Sequence, residues 1–315
     1  MTKWTSHRLV APRDAGLGVT RHRLDSGRPG PRLIVLGGVH GNEIGGIVGA
    51  GRLTLQPWPL QAGLVDVISI VHEAAYAAFS RTGPADGLDL ARTFPGDPAG
   101  TPTERLAALL TDEVIADADG LIDLHTSSQD ADLPLFAGAL GDGSAVGHAS
   151  TAMATAFGFD VVWTHPTLGA GRTLTIAAER GIPAMYVESP VGGVLSEKVV
   201  SSYTTGVLRV AESWGMLPHG CAQPGPPIRL RLHGPGDTDS FVAADRDGHF
   251  VADVELLASV RTGDRLGRVL DFMGRTISEI TAARDGHVVF IRRLAPVTTG
   301  TPLVAVCAAL VPAAG

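Results

Sequence analysis

Lysine is almost absent from this chain. It occurs only as Lys3 and Lys198, and nearly every other basic residue is arginine. The basic residues form no run, and the formal net charge is −7. Nucleic acid and anionic membrane surfaces both require clustered Lys and Arg, so neither is an expected partner. Cysteine is equally scarce. Cys221 and Cys307 make no CxxC pair and cannot build a thiolate zinc site; a lone disulfide is one reading of them and a buried, inert thiol the other. No apolar stretch of about 18 residues is available to cross a membrane. The opening Met-Thr-Lys-Trp-Thr-Ser-His-Arg-Leu-Val has no apolar signal-peptide core, so the expected location is cytoplasmic. A Gly-x-Ser-x-Gly elbow and a Walker phosphate loop are also missing, which argues against a serine hydrolase or an NTPase.

What is present supports a packed enzyme-sized core. Apolar residues make up 44% and charged residues 18% of 315 positions. That suits one large α/β domain, or a main domain with a small appendix. Short apolar runs read as buried strands: Leu33 to Leu36, Leu64 to Val71, Leu121 to Leu124 and Pro183 to Val187, the last closed by Glu188. Helical segments are expected at Ile44 to Leu53, Pro102 to Ala116 and Ser150 to Phe157. The second has a start signal, with Thr101 as N-cap, Pro102 at the first helical position and Glu104 reaching back as in a capping box. Strands alternating with helices imply a layered α/β domain.

The pattern changes near residue 221. Cys221 to Pro227 reads as a linker, which sets the expected units at 1–221 and 222–315. The tail holds an internal repeat: Arg246 to Val251 matches Arg284 to Val289, and Val260 to Val269 matches Val297 to Val306, in the same order. Two copies of one strand–turn–strand unit imply a small pseudo-symmetric β barrel or sandwich. This tail resembles biotinyl and lipoyl carrier domains, which need a lysine on the hairpin between the halves. Leu270 to Ile280 has none, so a carrier role is excluded and a structural or site-covering role remains.

The chemistry-bearing residues lie at strand ends. His40 and Glu43 in Val39-His-Gly-Asn-Glu43 directly follow the first apolar run, and a tight turn into a helix can aim both at one point. Zinc accepts imidazole nitrogen and carboxylate oxygen, and a catalytic zinc takes three protein ligands. His125 in Asp123-Leu-His125 is the candidate third, with Asp123 either orienting an imidazole or capping the next turn. Strand ends are where α/β proteins place ligands. Glu188 is either a general base or a surface strand-end residue. Arg81 and Arg92 flank a Gly-, Pro- and Asp-rich segment of the kind where arginines are usually just solvated. Arg172, in a Gly-rich loop, and His165 have the same two readings, substrate contact or solvated loop.

Taken in order and spacing, His40-Gly-Asn-Glu43, Arg81, Asp89-Leu-Ala-Arg92-Thr-Phe-Pro, Asp123-Leu-His125 and Glu188 resemble the succinylglutamate desuccinylase/aspartoacylase family, in the zinc carboxypeptidase clan. The resemblance runs from about residue 30 to 310 and implies a zinc-carboxypeptidase-like domain, a central mixed sheet flanked by helices, with a small C-terminal β domain. It implies that His40, Glu43 and His125 bind one Zn2+ per chain. Glu188 would be the general base and later the proton donor to the leaving amine, Arg81 would hold the oxyanion, and Arg92 would bind a substrate carboxylate. Two departures stand out. The family's Asp-Leu-Asn-Arg is Asp-Leu-Ala-Arg here, with Ala91 at the asparagine, and its Asn-Pro ahead of Arg81 is His72-Glu73. Losing a hydrogen bond to a charged group costs about 1.5–3 kcal/mol, so Ala91 and His72 place the change on the substrate side. The expected activity is removal of an acyl group from a small N-acyl amino acid or amine. A metallocarboxypeptidase acting on a short peptide and a non-catalytic ligand binder are the alternatives. The partner is then a small N-acyl molecule, and a homo-oligomer is left open.

Overall fold

Leu33, Ile34, Val35 and Leu36 are fully buried. They form the middle of β3 (Arg32–Gly37), a strand covered on both faces, which is what an unbroken apolar run implies. The structure, a computed structural model, describes residues 3–12, 14–190, 192–236 and 241–310. Around β3 lie β1 (Thr5–Ala11), β2 (Asp14–Asp25), β4 (Leu64–Ile68), β5 (Gly120–Leu124), β7 (Phe136–Leu140), β8 (Val161–His165), β9 (Ala184–Glu188) and β10 (Leu230–His233); β6 (Ala131–Asp132) lies apart. The sheet runs β1-β2-β4-β3-β5-β9-β7-β8-β10. It is mixed, as expected: β4, β3, β5 and β9 are parallel, β7 is antiparallel to β9, and β1–β2 is an antiparallel hairpin on one edge.

Helices cover both faces. On one side Leu53 of α1 (Ile44–Leu53), Phe157 of α4 (Ala145–Phe157) and Tyr203 and Val207 of α6 (Glu197–Ser213) share a buried cluster. On the other, Leu106 and Leu110 of α3 (Pro102–Leu110) and Leu174 and Ile176 of α5 (Thr173–Glu179) form a second. A short α2 (Glu73–Ala77) precedes Arg81. Each fully buried Leu or Phe contributes about 1.5–3 kcal/mol relative to exposure. The Thr101 capping box is formed in both directions, and α3 runs on into a π-helical turn at Thr111–Ile115.

After the 221–227 segment the chain first returns to the large sheet, where β10 pairs with β8. It then forms β11 (Phe241–Ala243), β12 (Gly248–Ala252), β13 (Ser259–Val260), β14 (Arg265–Leu270), β15 (Thr276–Thr281), β16 (Gly286–Arg292), β17 (Pro296–Val297) and β18 (Pro302–Cys307). The sequence repeat is a structural repeat. β12, β13 and β14 correspond to β16, β17 and β18, and the copies interlock: β13 pairs with β16, and β17 with β12. Asp285 Oδ1 accepts from the Thr262 backbone N–H at 2.7 Å, and Asp247 Oδ1 accepts from that of Thr299 at 2.8 Å. Gly263 and Gly300 both take φ +88°, where a side chain would be strained. Phe250, Leu266, Val288 and Leu303 from the two copies share one core. Among the described residues no helix is long and apolar enough to cross a membrane.

Candidate metal centre and active site

Three buried side chains meet where β3 and β5 end. His40 follows β3, and Glu43 stands at the N-terminus of α1, its backbone N–H donating to the His40 carbonyl. His125 directly follows β5. Close approach of α1 to β5 brings Glu43 and His125 together, and Gly46 permits it: a Cβ there would lie 2.0 Å from the Leu124 carbonyl oxygen. Gly46→Ala is therefore expected to push α1 outward, costing about 1–3 kcal/mol by overpacking. It should also weaken metal uptake, measured as urea stability and bound metal on the purified variant.

Each imidazole has a carboxylate at both nitrogens. His40 Nδ1 is 2.6 Å from Glu43 Oε1 and its Nε2 is 3.0 Å from Asp89 Oδ1. His125 Nδ1 is 2.9 Å from Glu43 Oε2 and its Nε2 is 3.1 Å from Asp123 Oδ2. A neutral imidazole donates from one nitrogen only. With Nε2 donating to Asp89 and to Asp123, both Nδ1 lone pairs face the Glu43 oxygens, an arrangement of acceptors that calls for a cation between them. The ligand atoms lie within 4.8 Å of one another. The donor set of two imidazoles and a carboxylate fits a catalytic zinc, and the Asp89 and Asp123 carboxylates orient the rings as metal-site partners do. The same demand shows in the titration of the residues. Burial would raise the Glu43 carboxyl, but the facing histidines hold it well below the usual range. Burial would lower His125, but Asp123 and Glu43 hold it well above its usual value.

Further groups complete the setting. Thr173 donates to Asp123 Oδ2 at 2.6 Å, and the Tyr203 hydroxyl donates to the His125 carbonyl. Arg81 donates through Nε to Asp89 Oδ2 at 3.0 Å, and its Nη1 lies 3.6 Å from Glu43 Oε1. Glu188 ends β9 and is pushed up to about 8, by burial first and then by the Glu43 charge, against the pull of His125 and Arg81. Its Oε2 is buried and has no hydrogen-bond partner.

The structure brings most of the sequence-selected residues to one cavity of about 210 Å3: the three metal candidates, Arg81, Ala91, Arg92, Arg172 and Glu188 all line it. Arg92 and Arg172 come from adjoining loops, joined by the Phe94 N–H donating to the Gly171 carbonyl at 3.1 Å. Burial, and then in Arg172 the Arg92 charge, lowers both guanidinium pKa values from their ordinary value. Ala91 contributes a methyl wall, and its backbone N–H donates to Asp89 Oδ1 at 2.9 Å. His72 does not line the cavity. It caps α2, its Nδ1 accepting from the Ala75 N–H at 3.4 Å. His165 does line it, buried and lowered to about 4 by that burial, donating from Nδ1 to the Gly234 carbonyl at 2.9 Å and accepting at Nε2 from the Tyr186 hydroxyl at 2.8 Å.

Sequence reading overlooks Asp89 as the partner of His40. It also overlooks Tyr186, which could have been found from strand periodicity: two residues before Glu188, it points to the same face. Phe136, Trp163 and, from the tail, Phe241 and Phe290 line the cavity too, and the tail residues carry no local signal of this.

Residues 29–213 match the succinylglutamate desuccinylase/aspartoacylase catalytic domain. The chain is 29% identical over 277 residues to an N-alpha-acetyl-L-2,4-diaminobutyric acid deacetylase from Halomonas elongata, covering 86% of this chain and 80% of that protein. Among solved structures, the product-bound ectoine utilization protein EutE from Ruegeria pomeroyi superposes with a TM-score of 0.85 at 26% identity, over 98% of this chain and 95% of that one. A succinylglutamate desuccinylase/aspartoacylase from Rhodobacter sphaeroides gives 0.82 at 25% identity, over 99% and 95%. With the family match spanning more than half its length, the chain belongs to the succinylglutamate desuccinylase/aspartoacylase family.

Proposed function

We propose that the protein is a zinc-dependent amide hydrolase that removes the acyl group from an N-acyl amino acid or related small N-acyl amine. One observation carries the reading: in a single cavity an acceptor cluster that calls for a cation (His40, Glu43, His125) meets a buried, unpartnered Glu188 carboxylate oxygen and Arg81. When bound, zinc supplies Lewis-acid polarisation and acidifies water. Glu188 takes a proton from the attacking water and returns it to the leaving nitrogen. Arg81, oriented by Asp89, donates to the oxygen that becomes negative as the carbonyl carbon turns tetrahedral. Arg92 and Arg172 hold the substrate carboxylate. The water oxygen ends on the acyl carbon, and the amine leaves with the transferred proton.

The name of the Halomonas elongata relative supports a deacylase. Gly236, Phe241, Phe290 and Ala305 of the C-terminal segment also line the cavity, which leaves less room there for a peptide chain. The test is amine release by zinc-loaded protein across N-acetyl, N-succinyl and N-formyl amino acids and dipeptides, with Glu188→Gln as the blank. Release from an N-acyl amino acid that is absent in the variant is expected. Faster turnover of dipeptides would transfer the protein to the peptidases, and silence across the panel with zinc bound would remove the catalytic reading.

A further inference from the structure

The cavity is chemically two-ended. At one end lie the metal candidates with Arg81, Arg92 and Arg172; the other is built from aromatic and aliphatic side chains. The sheet order gives the direction. His40 and His125 follow β3 and β5, Glu188 ends β9, and β7 and β8 lie beyond it. Phe136 of β7 is in register with Glu188, so the apolar wall begins directly beside the base. Trp163 of β8 continues it, and Phe241 and Phe290 of the tail, with ring centroids 4.4 Å apart, close it.

This wall is held in place. Phe290 precedes the two residues by which β16 pairs with β6, Ile291 opposite Asp132 and Arg292 opposite Ala131. Arg292 Nη1 bonds Asp130 Oδ2 at 2.9 Å, and Arg293 Nη1 bonds Asp132 Oδ1 at 3.0 Å. The tail is thereby fixed to the loop that follows His125. The charges are also one-sided. Among the described residues, the acidic ones lining the cavity are Glu43, Asp123 and Glu188. The first two are tied to the histidines, and the third stands at the base position, so among the described residues no carboxylate lies at the aromatic end. Its polar pair, His165 and Tyr186, is neutral and already bonded together.

We propose that the substrate of this cavity is an N-acyl amino acid whose group remote from the carboxylate is apolar and uncharged, seated against Phe136 and Phe290. The proposal rests on the deacylase reading for the position of the scissile bond. The apolar group can lie on the amine side, as a Leu-like side chain, or on the acyl side, as a longer acyl chain.

Calorimetric binding to the zinc-loaded Glu188→Gln protein separates these. The probes are N-acetyl-leucine, N-butyrylglycine, N-acetyl-2,4-diaminobutyrate and N-acetyl-aspartate, with amine release by the unsubstituted protein read in parallel. One of the first two is expected to bind at least about 10-fold tighter than either charged compound, the scale on which an apolar pocket discriminates. Which of the two wins assigns the side. Phe290→Ala should erase most of that preference, and Phe290→Leu, which keeps an apolar wall, should retain it; an unchanged preference in Phe290→Ala would remove Phe290 from the wall. Equal or tighter binding of the diaminobutyrate or aspartate compound, or no binding of any probe, would overturn the proposal. Tight binding of an apolar probe without amine release would leave the wall intact and sink the deacylase reading. Turnover of a charged probe would do the reverse.

Discussion

Glu188→Gln is expected to lower kcat/KM by about 10²- to 10⁴-fold, the usual contribution of a positioned acid–base group, while bound metal stays at the level of the unsubstituted protein. The glutamine keeps the shape of the side chain and cannot carry a proton between water and the leaving nitrogen. His40, Glu43 and His125 are bonded to one another, to Asp89 and to Asp123, not to Glu188, so the variant leaves the donor set whole. A variant that keeps its metal and its rate would remove Glu188 from the chemistry.

The same substitution has a pH-dependent signature in stability. In the metal-free protein, burial and then the Glu43 charge push the Glu188 carboxyl from its ordinary 4.5 up to about 8. Below about pH 4.5 it is protonated in the folded and unfolded chains alike and costs nothing. As the pH rises the unfolded chain ionises first, so stability falls, until the folded carboxyl ionises near pH 8. Metal-free Glu188→Gln should therefore melt with the parent protein at pH 4 and above it at pH 7 to 8. A parallel offset at all pH values would show that the carboxyl is not buried in its neutral form.

The elements that sequence reading recovers are those whose signal is local. α1 begins and ends at the expected Ile44 and Leu53, and the α3 start follows from Thr101, Pro102 and Glu104. β3, β5 and β9 are short apolar runs covered on both faces. Two omissions have different causes. β7 reads Phe-Ala-Gly-Ala-Leu, with small residues instead of β-branched ones. Its Gly138 is needed because a Cβ there would stand 2.1 Å from Tyr186 Cε1, a tertiary reason no local pattern conveys. α6 is different: Val200, Tyr203, Val207 and Val210 recur at helical spacing behind the N-cap Ser196, so its signal was present. In the site, the ligand residues are legible because each follows a strand. The aromatic wall is not, since Phe136 and Phe290 lie in different sheets and line one cavity through tertiary pairing such as that of β16 with β6.

His125→Ala is expected to reduce bound zinc to background, and Asp123→Asn to weaken zinc affinity by about 10- to 100-fold without abolishing it. The difference follows from what each side chain touches. His125 supplies one of the three converging donor atoms, and removing it leaves His40 and Glu43, too few for a closed catalytic set. Asp123 supplies none. It accepts from the Nε2 side of His125 and from Thr173, and so keeps the Nδ1 lone pair aimed at the centre. An asparagine can turn its amide nitrogen to the ring and let the imidazole take the other tautomer. Thermal unfolding in a zinc titration reads both effects without any assay of turnover. A ligand at 100 times its Kd adds about 2.7 kcal/mol to the folded state. The parent protein should show that gain at the lowest zinc, Asp123→Asn at 10 to 100 times more, and His125→Ala at none of these concentrations. A zinc-induced shift in His125→Ala equal to the parent's would place the metal elsewhere and dissolve the His40–Glu43–His125 centre. Equal titration curves for Asp123→Asn and the parent would remove the Asp123 charge from the support of the metal.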